Sequence, residues 1–138
     1  MDRLLQRPLL HKGNKHIDDR GIITFNNDFD CTRVKRMYTI ENNSIDFKRG
    51  WQGHKIEQRW FSVIKGSFVI EIKPIIAFEQ PTIDHPVDVF TLQENTLDYL
   101  QVPAGYVTCI QALETHSKLL LLSDYALGEV DDEWRFEL

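Results

Sequence analysis

Alternation of apolar and polar positions, the period of a half-buried β-strand, recurs along most of this chain. Val34–Ile40 (VKRMYTI) alternates in this way, and Gly21–Phe25 (GIITF) follows an Asp18-Asp19-Arg20-Gly21 turn. Trp60–Ile64 and Ser67–Ile72 flank Lys65-Gly66, which predicts a hairpin. Asp88–Leu92 and Leu97–Val102 flank Gln93-Glu94-Asn95-Thr96, which predicts a second one. Val107–Leu113 and Leu119–Leu122 add two strands, and helical spacing is hard to find. Pro74, Pro81 and Pro86 interrupt pairing across Lys73–Val87 and predict a long loop. Asp131–Leu138 reads as a short terminal helix or an extended tail. Short strands at fairly even spacing, with no helix between them, predict an all-β antiparallel sandwich or barrel rather than a βαβ fold.

Composition narrows the picture. The 138 residues are expected to form one domain, 1–138, large enough to bury a core. A content of 42% hydrophobic residues excludes general disorder. The net charge of −5 argues against a nucleic-acid partner, because no long basic face is present, yet it permits a local cationic pocket for an anionic small molecule. Cys31 and Cys109 match no metal-ligand spacing and are expected to be free thiols. Neither Met1–Leu10 nor any later stretch has the apolar run of a leader or membrane span. The expectation is a soluble cytoplasmic protein with no membrane partner.

The densest chemistry lies at Arg49–Lys55 (RGWQGHK). If Gly50–Gln58 is one extended strand, Gln52, His54, Ile56 and Gln58 share a face, opposite Trp51, Gly53, Lys55, Glu57 and Arg59. The first face is polar for a core and suits the lining of a ligand cavity in a barrel mouth. A merely solvated face is the plain alternative.

Five motifs carry a resemblance to a known family. Asp19-Arg20-Gly21 resembles its opening turn, Val34–Tyr38 its K-R-V-Y strand, and Arg49–Lys55 its R-G-x-H-A-H-K signature. Leu100–Tyr106 (LQVPAGY) resembles its P-x-G turn and Ser123-Asp124-Tyr125 its late S-D-Y segment. The family is that of the metal-independent cupins acting on nucleotide-linked 4-keto-6-deoxyhexoses. It comprises the dTDP-sugar 3,4-ketoisomerases of the WxcM-like group and the related dTDP-4-dehydrorhamnose 3,5-epimerases. The resemblance implies a cupin jelly-roll β-barrel of roughly ten strands, with the pocket between the sheets. It also implies a homodimer formed by strand exchange near the N-terminus, and a nucleotide-diphosphate sugar as substrate.

Metal-binding cupins use a His-x-His pair, a Glu and a later His. The corresponding positions here hold Gln52, His54, Gln58 and Thr108, so no metal and no other cofactor is expected. His11, His16, His85 and His116 fall outside the motif. By resemblance the reaction is enolisation next to the sugar ketone, followed by return of the proton in surface-polysaccharide or deoxysugar biosynthesis. The base should titrate near working pH, which favours imidazole, with its reference value of about 6.5. His54 is therefore assigned as base. Gln52 stands where both relatives place a histidine; a carboxamide hydrogen-bonds but cannot carry a proton near neutral pH. That leaves three alternatives: 3,4-ketoisomerisation, 3,5-epimerisation, or a sugar-nucleotide-binding cupin without turnover. Tyr38 is assigned to orienting the sugar or donating a proton. Arg49, Arg20, Arg36 and Lys55 are assigned to the nucleotide or diphosphate, Arg20 from a neighbouring subunit, and Tyr106 and Tyr125 to contacts around the pocket.

Overall fold

The structure is a computed structural model and describes residues 6–138. The expectations for Met1–Leu10 and for the start of the domain fall partly outside the described residues. The strands are β1 (Leu9–His11), β2 (Asn14–Asp18), β3 (Gly21–Phe25), β4 (Arg36–Ile40), β5 (Lys48–His54) and β6 (Arg59–Lys65). They continue with β7 (Ser67–Pro74), β8 (Asp88–Gln93), β9 (Tyr99–Val102), β10 (Tyr106–Ala112), β11 (Lys118–Ser123) and β12 (Trp134–Arg135). One helical turn, α1 (Ile76–Glu79), lies in the proline-containing connection.

Two five-stranded antiparallel sheets face each other, in the orders β1-β9-β6-β11-β4 and β12-β5-β10-β7-β8, and β2–β3 forms a separate ribbon. This is a jelly roll, as the resemblance implies. From β4 onward the chain changes sheet at almost every step; β7 and β8 alone pair in sequence in that stretch, around α1. Inward residues of one sheet (Phe61, Leu100, Leu119, Leu121) meet those of the other (Phe68, Ile70, Ile72, Ile110) in a single core. Each such side chain stabilises the fold by roughly 1.5–3 kcal/mol through lost apolar exposure.

Both predicted hairpins are instead corners between sheets. β6 pairs with β9 and β11 while β7 pairs with β8 and β10, so Lys65-Gly66 carries the chain across the core. Gly66 supplies the positive φ of 74° that this corner needs. The β8–β9 connection crosses in the same way. Turn residues mark where a chain reverses but carry no information on which distant strand it then joins. β1 and β2 have too little alternation to be foreseen. The C-terminal segment is the extended alternative: β12 pairs with β5, and Trp51 and Phe136 exchange backbone hydrogen bonds of 3.1 and 2.9 Å. Phe78 of α1 stacks on Phe136 and meets Trp51 edge-on, which fastens this strap to the outer face of β5. Both cysteines are free, Cys31 exposed and Cys109 buried.

Candidate active site

β5 positions the polar motif, and a bulge sets its geometry. Thr108 of β10 pairs with Gln52, but Ile110, two residues on, pairs with Arg49, three residues back. The extra residue at Gly50–Trp51 reverses the alternation locally. Arg49 therefore lines the same cavity as Gln52, where strict alternation would turn it away. Gly53 is needed for close approach: a Cβ there would lie 2.0 Å from the Tyr106 carbonyl oxygen.

β5 ends at His54, so the single strand expected over Gly50–Gln58 is not formed. Lys55 and Ile56 turn outward, and the reason lies far along the chain. The Asp132 carboxylate accepts backbone N–H bonds from Lys55 (3.0 Å), Ile56 (2.7 Å) and Glu57 (2.9 Å). Ile56 is exposed, and Gln58 accepts a hydrogen bond from the Gln101 side chain (2.9 Å). Glu57 and Arg59, expected opposite His54, are carried back to it and into the neighbouring cavity.

The His54 side chain is only 15% exposed. Its Nδ1 lies 2.9 Å from the Asp132 carbonyl oxygen, which can only accept, so Nδ1 carries a hydrogen. Its Nε2 lies 2.9 Å from Glu57 Oε2, within hydrogen-bond distance. Burial alone would push the Glu57 carboxyl up. Hydrogen bonds from His54 and Ser123, with the charges of His54 and Arg59, more than offset it, and the net direction is down.

Two cavities adjoin along this wall. The first, about 320 Å³, lies between the sheets and is lined by Tyr38, Arg49, Gln52, Arg59, Thr108, Ile110 and Glu41, among others. The second, about 300 Å³, is lined by His54, Glu57, Arg36 and the strap residues Ala126–Gly128 and Val130–Glu133. Two touching pairs contribute one member to each cavity. Gln52 Nε2 donates to Glu133, and the Arg36 guanidinium lies 4.5 Å over the Tyr38 ring.

Arg59 is 5% exposed, yet its Nη2 donates only to the Gln52 carbonyl (3.3 Å) and, at the limit, to Thr108 Oγ1 (3.5 Å). Among the described residues no carboxylate pairs with it within 4.0 Å. A buried guanidinium facing a cavity with no carboxylate in direct contact is suited to an anionic or electron-rich ligand.

Of the sequence-derived site residues, Tyr38, Arg36, Arg49, Gln52 and His54 come together. Four do not. Arg20 sits at the tip of the β2–β3 ribbon, bound to Asp18 at 2.6 Å. The Lys55 ammonium lies 4.1 Å over the Trp134 ring and pairs with Glu79 (3.3 Å) on the outside. Tyr106 is buried in the core, and burial pushes its hydroxyl up. Tyr125 lies under Lys35 on another face, in a shallow depression with Arg33 and Asp124. Sequence reasoning missed Glu57 and Arg59, whose orientation depends on the end of β5, and Asp132 and Glu133, which approach only because the strap returns. Among the described residues, no cluster of three or more His, Cys, Asp or Glu is arranged to hold a metal ion, and no helix is long and apolar enough to cross a membrane.

No family model matches this sequence, and no curated protein matches it either. Solved structures do. The 3,4-ketoisomerase QdtA from Thermoanaerobacterium thermosaccharolyticum, as a histidine-to-asparagine mutant in complex with TDP-4-keto-6-deoxyglucose, superposes with a TM-score of 0.72 at 22% identity. The match covers 96% of this chain and 90% of that one. The dTDP-4-dehydrorhamnose 3,5-epimerase from Bacillus anthracis, with TDP and PPi bound, gives 0.69 at 17% identity over 88% of this chain and 75% of that one. The WlaRB TDP-quinovose 3,4-ketoisomerase from Campylobacter jejuni gives 0.64 at 17% identity, covering 91% and 92%. These neighbours belong to the two enzyme groups that the sequence motifs resemble, and at such identities the likeness is one of fold.

Proposed function

We propose that this protein is an isomerase of a nucleotide-activated 4-keto-6-deoxyhexose, of the 3,4-ketoisomerase type, with His54 as its base and a role in surface-polysaccharide or deoxysugar biosynthesis. The observation that carries the reading is a buried imidazole at the wall of a jelly-roll cavity, with its Nδ1 hydrogen committed to the Asp132 carbonyl. That commitment leaves Nε2 as the nitrogen able to gain and lose a proton. In the free protein Nε2 faces Glu57, so substrate reaches it by displacing that contact. The imidazolium formed during turnover then has a carboxylate beside it.

The rest of the constellation suits the same chemistry. Removal of the proton on carbon 3 moves charge onto the carbonyl oxygen at carbon 4. The buried Arg59 guanidinium, which makes no direct ion pair among the described residues, and the Tyr38 hydroxyl are suited to meet that charge. Arg49 and Arg36 are suited to the diphosphate, Arg49 through a planar fork only loosely engaged by Asn42 (3.4 Å). The neighbours bind TDP or a TDP-sugar in a fold of this kind, which supports the same ligand class.

The test is proton exchange. Incubation with dTDP-4-keto-6-deoxyglucose in deuterated water should place label at carbon 3 or carbon 4, read by NMR. Label at carbons 3 and 5 would favour 3,5-epimerisation. His54→Asn should lower exchange by about 10²–10⁴-fold, and a fully active variant would refute the assignment. A second reading has its own support: both His54 nitrogens face protein acceptors and Gln52 is bound to Glu133, which suits a sugar-nucleotide-binding cupin without turnover. Saturable dTDP binding with no exchange at high protein concentration would favour it.

A further inference from the structure

We propose that Glu133, carried in by the C-terminal strap, relays the hydroxyl proton between the two adjacent sugar oxygens, the task that the Gln52 carboxamide cannot perform. The inference rests on the isomerase reading above. Glu133 Oε1 accepts from Gln52 Nε2 and from Arg135 Nη2 (2.9 Å), which aim the carboxylate. Its Oε2 has no hydrogen-bond partner among the described residues, and the side chain, 48% exposed, lines the same cavity as His54. The strap is fixed on both sides of it: Asp132 caps the turn after His54, and Trp134 and Arg135 pair with Gly53 and Gln52. Where the resembled enzymes carry a second histidine, this chain thus carries a carboxamide in contact with a carboxylate. The pair restores a proton-transfer group to that position.

The step balances without a co-reactant. His54 takes the proton from carbon 3, the C–H electron pair becomes the bond between carbons 3 and 4, and oxygen 4 holds the negative charge. The Glu133 carboxylate accepts the proton of the hydroxyl on carbon 3 and passes it to oxygen 4. The freed O–H electron pair forms the new carbonyl at carbon 3, and carbon 4 takes the proton back from His54. Glu133 and His54 both end in their starting forms.

The experiment compares full-length wild type, Glu133→Gln and the double variant Gln52→His, Glu133→Gln. Each is given dTDP-4-keto-6-deoxyglucose in deuterated water, with dTDP binding as the measure of an intact site. Glu133→Gln should retain exchange at carbon 3 while conversion to the 3-keto sugar falls about 100-fold or more, and the double variant should regain about tenfold or more of it. Conversion by Glu133→Gln at the wild-type rate overturns this inference alone. Equal loss of exchange and conversion also overturns it, because Glu133 would then act only on structure. Wild type that binds dTDP but neither exchanges nor converts overturns the isomerase reading and this inference with it.

Discussion

At the scale of single residues, Glu57 is the ionisable side chain in direct contact with His54. It is buried, accepts hydrogen bonds from His54 and Ser123, and has its carboxyl held below the ordinary range despite the opposing effect of burial. A depressed folded-state value binds fewer protons than the unfolded chain. Its stabilisation is therefore complete above the unfolded carboxylate range and is lost as pH falls through the folded value. Replacing Glu57 by Gln should cost about 1–3 kcal/mol at neutral pH, and the gap to wild type should close on acidification. Urea melts of both proteins from neutral to acidic pH would show this; a gap that stays constant with pH would remove the role of the charge. His54 was legible in the sequence because its motif is local. Glu57 and Arg59 were not, because an unbroken alternation placed them on the wrong side and nothing near them in sequence announces where β5 stops.

Elements explain that stop. The bulge at Gly50–Trp51 and the turn after His54 are both enforced from elsewhere, by the register of β10 and by the Asp132 carboxylate. Most strands were visible as alternating or β-branched runs, whereas their pairing was not. Lys65-Gly66 looks the same in a hairpin and in a corner between sheets. The strap was ambiguous for the same reason, since Asp131–Leu138 gains its conformation from β5. Asp132 gives this dependence a measurable form. Asp132→Ala removes the acceptor of three backbone N–H groups at once and should destabilise the fold by about 2–4 kcal/mol. Hydrogen exchange at the Ile56 and Glu57 amides should accelerate more than at core amides of β7 or β11. Unchanged exchange at those two positions would show that the strap does not hold the turn.

Over the whole molecule, the β2–β3 ribbon is the part that the two sheets do not account for. It pairs with neither sheet, exposes Ile17, Ile22 and Ile23, and carries Arg20 at its tip, where it lines neither cavity of its own chain. A two-stranded ribbon is marginal in water by itself and gains stability by packing or pairing with something larger. The homodimer proposed from the family resemblance would supply that. A ribbon laid on a second copy buries the isoleucines and can bring Arg20 to the other copy's cavity, consistent with an anionic substrate on a chain whose net charge is −5. Sedimentation velocity at micromolar concentration should then find a dimer, and Ile22→Lys should weaken it by about 10–100-fold, as loss of one central apolar contact does. Arg20→Ala should leave the dimer intact and weaken dTDP binding by about 10-fold, the loss of one charge-assisted hydrogen bond. A wild-type monomer would sink the exchange of ribbons. A dimer whose dTDP affinity ignores Arg20 would keep the assembly and dismiss the shared site, since a purely structural ribbon has no use for a cation at its tip.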